Sequence, residues 1–137
     1  MKESELITLS KEILCICEEA GAAIMDIYGS DNNGFEIKED GSPVTLADLA
    51  SHQIILDKLS GLNTLFPVLS EEDEVKELID TSIFWLVDPL DGTKEFINKN
   101  GEFTVNIALI ENGFPILGVV SAPAIHESFY GIPGYGS

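Results

Sequence analysis

Two apolar runs of strand length, Phe103 to Ile110 and Phe114 to Ser121, flank Asn112-Gly113. An Asn-Gly pair suits a tight turn whose central residues both need positive φ, the turn that matches the twist of two paired strands. The segment therefore predicts an antiparallel hairpin, and a further strand follows over Glu127 to Gly131. Upstream, Ile83 to Val87 is a continuous apolar run that predicts a strand buried on both faces. Leu65 to Leu69 and Phe35 to Lys38 are shorter strand candidates. Ahead of them, Leu6, Leu9, Ile13, Ile16, Ala20, Ile24 and Ile27 recur at helical spacing and predict an amphipathic helix over Ser4 to Tyr28, with Gly29 as C-cap. A second helix is expected from Thr45 to Ser60, stopping at Gly61, with Thr45 and Asp48 as an approximate capping box. The expected fold class is α+β: a largely antiparallel six-stranded sheet packed with two long helices.

The length of 137 residues suits one domain with one core. Charge is the unusual part of the composition. Seven lysines and no arginine stand against 24 acidic residues, a formal net charge of −17. Such a surface repels nucleic-acid backbones and anionic membranes, so no nucleic-acid partner is expected. It repels phosphate esters too, unless cations mediate, and gathered carboxylates are what hard cations bind. No window reaches the length of a membrane span, and the acidic start Met1-Lys2-Glu3-Ser4-Glu5 opens no signal-peptide core, so a cytoplasmic location is expected. Cys15 and Cys17 lie two apart on the first helix and face nearly opposite ways, as reduced core or boundary residues. His52 and His126 have no partners at metal-ligand spacing and are expected to be structural or at the surface.

The chemistry concentrates in two places. Asp88-Pro89-Leu90-Asp91 closes the apolar run from Ile83. Pro89 is expected to halt the strand, so that the chain turns and Asp91 faces the same region as Asp88, with the Leu90 carbonyl between them. Two carboxylates and a carbonyl make a partial oxygen cage for Mg²⁺. Gly92-Thr93 follows as the expected opening of a short helix, whose first amides suit a phosphate. A polar turn with Asp91 as a helix N-cap explains the same residues. The second place is Ser70-Glu71-Glu72-Asp73-Glu74, which also follows an apolar strand. If the two strands are neighbours, Glu71 and Asp88 share one sheet edge; a solvated acidic loop is the plainer alternative.

Taken together, Glu71-Glu72 and Trp85-Leu86-Val87-Asp88-Pro89-Leu90-Asp91-Gly92-Thr93 resemble the signature of the inositol monophosphatase superfamily. Lys94-Glu95-Phe96, the stretch from Asn100 to Leu109 and the stretch from Asp40 to Asp48 resemble its 3′(2′),5′-bisphosphate nucleotidases of the CysQ type. The resemblance implies Glu71, Asp88 and Asp91 as side-chain Mg²⁺ ligands and Leu90 as a carbonyl ligand. It implies Gly92 and Thr93 as phosphate-binding amides, and Asp48, Thr93 and Glu72 as the catalytic group that activates the attacking water. Lys38 is implied to lie near the substrate with Glu71, Leu90, Asp91, Gly92 and Thr93. The implied cofactor is Mg²⁺, two or three ions, with Mn²⁺ as a substitute and Li⁺ and Ca²⁺ as inhibitors. The implied substrate is a small nucleotide bisphosphate, 3′-phosphoadenosine 5′-phosphate, cut to AMP and phosphate in sulfur metabolism. An inositol-phosphate or fructose-bisphosphate phosphatase is the alternative within the same chemistry, and a non-catalytic acidic metal-binding fragment the alternative outside it. A homodimer and a peripheral inner-membrane location are further expectations from the family.

Family members are about twice as long and fold as layered αβαβα sandwiches, so the resemblance covers the N-terminal lobe. Their second half carries a further metal-binding aspartate and most contacts that choose the substrate. The chain alone is therefore expected to bind metal weakly, to turn over little substrate and to expose apolar surface at an incomplete sheet edge, inviting self-association.

Overall fold

The computed structural model of the chain describes residues 2–28, 43–62, 66–70, 83–91 and 102–133. Helix α1 runs over Glu3–Tyr28 and α2 over Pro43–Ser60. Five strands follow: β1 (Val68–Ser70), β2 (Ile83–Asp91), β3 (Thr104–Glu111), β4 (Phe114–Ala122) and β5 (Glu127–Gly131). They form one sheet in the order β1-β2-β3-β4-β5, with β1 parallel to β2 and the other three pairs antiparallel. The α+β class is as expected from the sequence. The sheet is mixed, because β1 joins β2 in parallel, and it has five strands among the described residues; the Phe35 to Lys38 candidate lies outside them.

Helix α1 follows its apolar period. Leu6, Leu9, Ile13, Ile16, Cys17, Ala20 and Ile24 are all buried, one stripe on a 26-residue helix. At its start Glu5 accepts a hydrogen bond from the Lys2 backbone N–H at 2.9 Å, and Glu3 and Glu5 both place negative charge at the positive end of the helix dipole. Helix α2 buries Ala47, Ser51, Ile55 and Leu59, spaced by four. It begins at Pro43, so Thr45 is its third residue and not its N-cap as the capping-box reading expects; proline's fixed φ suits that first helical position. It ends one residue before Gly61, whose N–H donates to the Lys58 carbonyl at 3.1 Å.

Both helices pack on one face of the sheet, α1 over β3 and β4 and α2 over β2. That face carries Trp85, Val87, Val105, Ile107, Leu109, Leu117 and Val119, each at most 1% exposed. The other face is apolar yet open: Leu86 is 38%, Val120 39% and Phe129 61% exposed. The run Ile83 to Val87 is therefore buried on one face only, a correction to the sequence expectation; the exposed apolar residues lie on the open face of the sheet, whereas the sequence reading expects them at its edge. The hairpin turn is as read: Asn112 has φ 53° and Gly113 φ 84°. His126 is exposed, with φ 56°, at the end of the 3₁₀ turn Pro123–Ile125.

Glycine matters at one close approach. A Cβ on Gly21 of α1 would stand 2.9 Å from Pro123 Cβ. Alanine raises helix propensity by about 1 kcal/mol, but overpacking a rigid ring costs about 1–3 kcal/mol. Gly21→Ala is expected to lower stability by about 1 kcal/mol in denaturant titration; an unchanged or raised midpoint would show that the 3₁₀ turn yields. The cysteines divide as expected, Cys15 exposed and Cys17 buried, both free. Burial, with a smaller push from Glu18, raises the Cys17 thiol from 9.0 to about 12. Because the folded value lies above the unfolded one, this stabilisation is complete below pH 9 and is lost as pH rises from 9 towards 12. Unfolding free energy should fall across that window, and less steeply in Cys17→Val; equal slopes in the two proteins would contradict the assignment.

Candidate functional site

In a regular strand, residues three apart face opposite sides. Asp88 and Asp91 are three apart on β2. Across the ladder, Asp88 pairs with Asn106 and Asp91 with Thr104, a step of three residues on β2 against two on β3, with a register shift between them. The extra residue is a β-bulge, and it returns Asp91 to the face that holds Asp88. Asn106 and Thr104, two apart on regular β3, share that face. The Asn106 side-chain amide nitrogen donates to Thr104 Oγ1 at 3.2 Å and to Asp91 Oδ2 at 3.4 Å, which ties the cluster together. Pro89 therefore does not halt the strand, as the sequence reading expects. Strand β2 continues through it to Asp91, and Pro89, which lacks a ladder donor, is accommodated at the irregularity.

The bulge is anchored from the core side. Pro89 and Leu90 are buried, whereas Asp91 is exposed and Asp88 half-buried. The Ser51 hydroxyl on α2 donates to the Pro89 carbonyl at 2.8 Å, a buried bond between residues 38 apart in sequence. Asp48 lies three residues before Ser51 on the same helix, and its Oδ1 is shut off from solvent. On the other side of β2, strand β1 ends with Ser70 paired to Val87, and Trp85 donates its N–H to the Pro67 carbonyl at 2.8 Å. Glu71 and Asp88 are the residues that follow Ser70 and Val87. The apolar open face of the sheet continues up to this end, where Leu86, Asp88, Asn106, Ala108, Gly118 and Val120 line a cavity of about 290 Å³.

Of the residues singled out in the sequence, the structure brings Asp88 and Asp91 onto one face and buries the Leu90 side chain behind them. Asp48 sits on the helix whose Ser51 reaches the bulge. Lys38, Glu71, Glu72, Gly92 and Thr93 lie outside the described residues. Among the described residues, no three of His, Cys, Asp and Glu form a metal-binding group. The carboxylates that share this face, Asp88 and Asp91, with the Thr104 hydroxyl beside them, offer hard oxygen atoms and no sulfur or imidazole, the donor chemistry that suits Mg²⁺ or Mn²⁺. Sequence reading passed over Asn106 and Ser51 as site residues. Each carried a signal: Asn106 is polar on a strand whose alternate residues are apolar, and Ser51 is a hydroxyl within the stripe Ala47-Ser51-Ile55-Leu59.

The chain matches the model of the inositol monophosphatase family over residues 9–137. It belongs to that family. It is 50% identical over 129 residues to the 3′(2′),5′-bisphosphate nucleotidase CysQ of Salmonella typhimurium, covering 90% of this chain and 52% of the relative. The CysQ of Buchnera aphidicola is 45% identical over 125 residues, 87% of this chain and 47% of the relative. Among solved structures, CysQ from Bacteroides thetaiotaomicron superposes with a TM-score of 0.83 at 41% identity, over 94% of this chain and 47% of that one. An inositol monophosphatase from Zymomonas mobilis superposes with a TM-score of 0.79 at 25% identity, over 98% of this chain and 50% of that one. The chain thus spans about half the length of the curated relatives it matches.

Asn106→Ala removes the donor that steadies Asp91. It is expected to change stability by no more than about 1 kcal/mol and to weaken Mn²⁺ binding by roughly tenfold, since groups that orient metal ligands act on that scale. Denaturant titration checks the stability and titration calorimetry the affinity; an unchanged Mn²⁺ affinity would remove Asn106 from the site.

Proposed function

We propose that the protein is a Mg²⁺-dependent phosphatase that removes the 3′-phosphate of a nucleotide 3′,5′-bisphosphate, with 3′-phosphoadenosine 5′-phosphate as substrate and AMP and phosphate as products. The observation that carries this reading is the bulge that sets Asp88 and Asp91 on one face, in a chain half of whose residues match CysQ nucleotidases. Asp88 and Asp91 would hold Mg²⁺, together with Glu71 and the Leu90 carbonyl. The ion would supply the positive charge that a protein of net charge −17 lacks towards a phosphate ester and would favour deprotonation of the attacking water. Gly92 and Thr93 present backbone amides to the phosphate, and Lys38 adds a cation nearby. The Thr93 hydroxyl, paired with Asp48, would help activate the attacking water, whose proton passes to the Asp48 carboxylate, and Glu72 would support that water. Water attacks in line, without a covalent enzyme intermediate. The strand geometry supports the metal part of this reading, and the relatives' names support the substrate. No helix among the described residues is long and apolar enough to cross a membrane.

The test compares turnover of 3′-phosphoadenosine 5′-phosphate with that of inositol 1-phosphate by the complete protein, with Mg²⁺ and after chelation. Faster turnover of the nucleotide, abolished by chelation and lowered at least 100-fold in Asp88→Asn, is the expected result; about 100-fold corresponds to 2.7 kcal/mol of transition-state stabilisation. Preference for inositol 1-phosphate would move the protein to its family's other substrate class. Activity indifferent to chelation would remove the metal from the mechanism.

A further inference from the structure

We infer that Ser51 is a positioning residue for the metal site: its hydroxyl pins the β2 bulge and so holds Asp88 and Asp91 on one face. The inference rests on the metal reading above and extends it to a residue that contacts neither metal nor substrate. The argument begins with cost. Ser51 is 0% exposed, and a buried hydroxyl in an apolar stripe is expensive unless it is bonded. Alanine there would favour the helix and suit the neighbours Ala47 and Ile55, so the hydroxyl needs a compensating contact. That contact is the Pro89 carbonyl, at 2.8 Å. Pro89 is one of the two residues between Asp88 and Asp91, inside the segment where β2 runs one residue out of step with β3.

The out-of-step segment has a competing arrangement. Without the extra residue the strand beyond Asp88 would return to regular alternation, which would turn Asp91 to the opposite face and part the two carboxylates. Asn106 resists it at the Asp91 end with a bond of 3.4 Å from an exposed face, whereas the Ser51 bond is shorter and buried. The same bond fixes the distance from the bulge to α2, the helix that carries Asp48 one turn before Ser51.

Ser51→Ala, measured by Mn²⁺ titration of the protein beside Asp88→Asn and Ser10→Ala, tests this. Ser10 is the control, a 0% exposed serine whose hydroxyl bonds within its own helix, to the Ile7 carbonyl at 2.7 Å. Ser51→Ala is expected to weaken Mn²⁺ binding roughly 10- to 100-fold, and Ser10→Ala to leave it unchanged. Metal-free amide exchange should also speed up at Leu90 and Asp91 in Ser51→Ala while Trp85 to Val87 keep their rates, a pattern that general loss of stability does not give. Affinity lost in Asp88→Asn but kept in Ser51→Ala would overturn this inference alone. Affinity kept in both would overturn the metal reading and this inference with it. If Ser51→Ala does not fold, Ser51→Thr carries the test: it keeps the oxygen and should keep the affinity to within about threefold, and a loss as large as that of Asp88→Asn would overturn the inference.

Discussion

One extra residue in β2 decides what the rest of the molecule can do. Side chains on a strand alternate, so the spacing Asp-Pro-Leu-Asp would separate its carboxylates if β2 were regular. The bulge between Asp88 and Asp91 brings them to one face. Everything nearby serves to keep it. Strand β3 supplies the regular partner against which the extra residue is measured, and Thr104 and Asn106 present polar groups beside the carboxylates. Helix α2 holds the bulge from the core side through Ser51. The hairpin turn at Asn112-Gly113 in turn fixes β3 against β4, and α1 packs on both. A local irregularity is thus supported by the ordinary packing of a whole domain.

The acidic composition and this geometry are two sides of one electrostatic problem. With 24 acidic residues against seven lysines, the chain carries a net charge of −17, which repels an anionic substrate. Oxygen donors gathered on one face change the local sign once a divalent cation is held there. The charge balance of the sequence is coherent with phosphate chemistry only in that way, and the donor set agrees, being made of oxygen alone.

Much of this was legible beforehand, for identifiable reasons. Helix α1 was readable because seven apolar residues keep a 3.6-residue period, and the hairpin because Asn-Gly has few other uses between strands. Strand β5 was found with its observed bounds, Glu127–Gly131. The errors come from tertiary context. Pro89 reads locally as a stop, yet a bulge lets the strand pass through it. Thr45 and Asp48 read as a cap, yet the helix starts two residues earlier, at Pro43. The apolar run at Ile83 to Val87 reads as buried on both sides, because sequence does not reveal that both helices lie on one face. Within the site, Asp88 and Asp91 stood out by their spacing around a proline. Ser51 did not, because a serine acquires meaning only from a carbonyl that lies 38 residues away in the chain.

The position of these groups also bears on affinity. Two carboxylates held on one face repel each other, and the repulsion grows as water is excluded. A flexible loop would relieve it by moving the carboxylates apart, and a cation would then have to gather them again at an entropic cost. Here the gathering is done by the fold, through the bulge, the Asn106 amide and the Ser51 bond. These contacts all lie within α2, β2 and β3. Ligands contributed by other parts of a site add charge and coordination to a pair already in place.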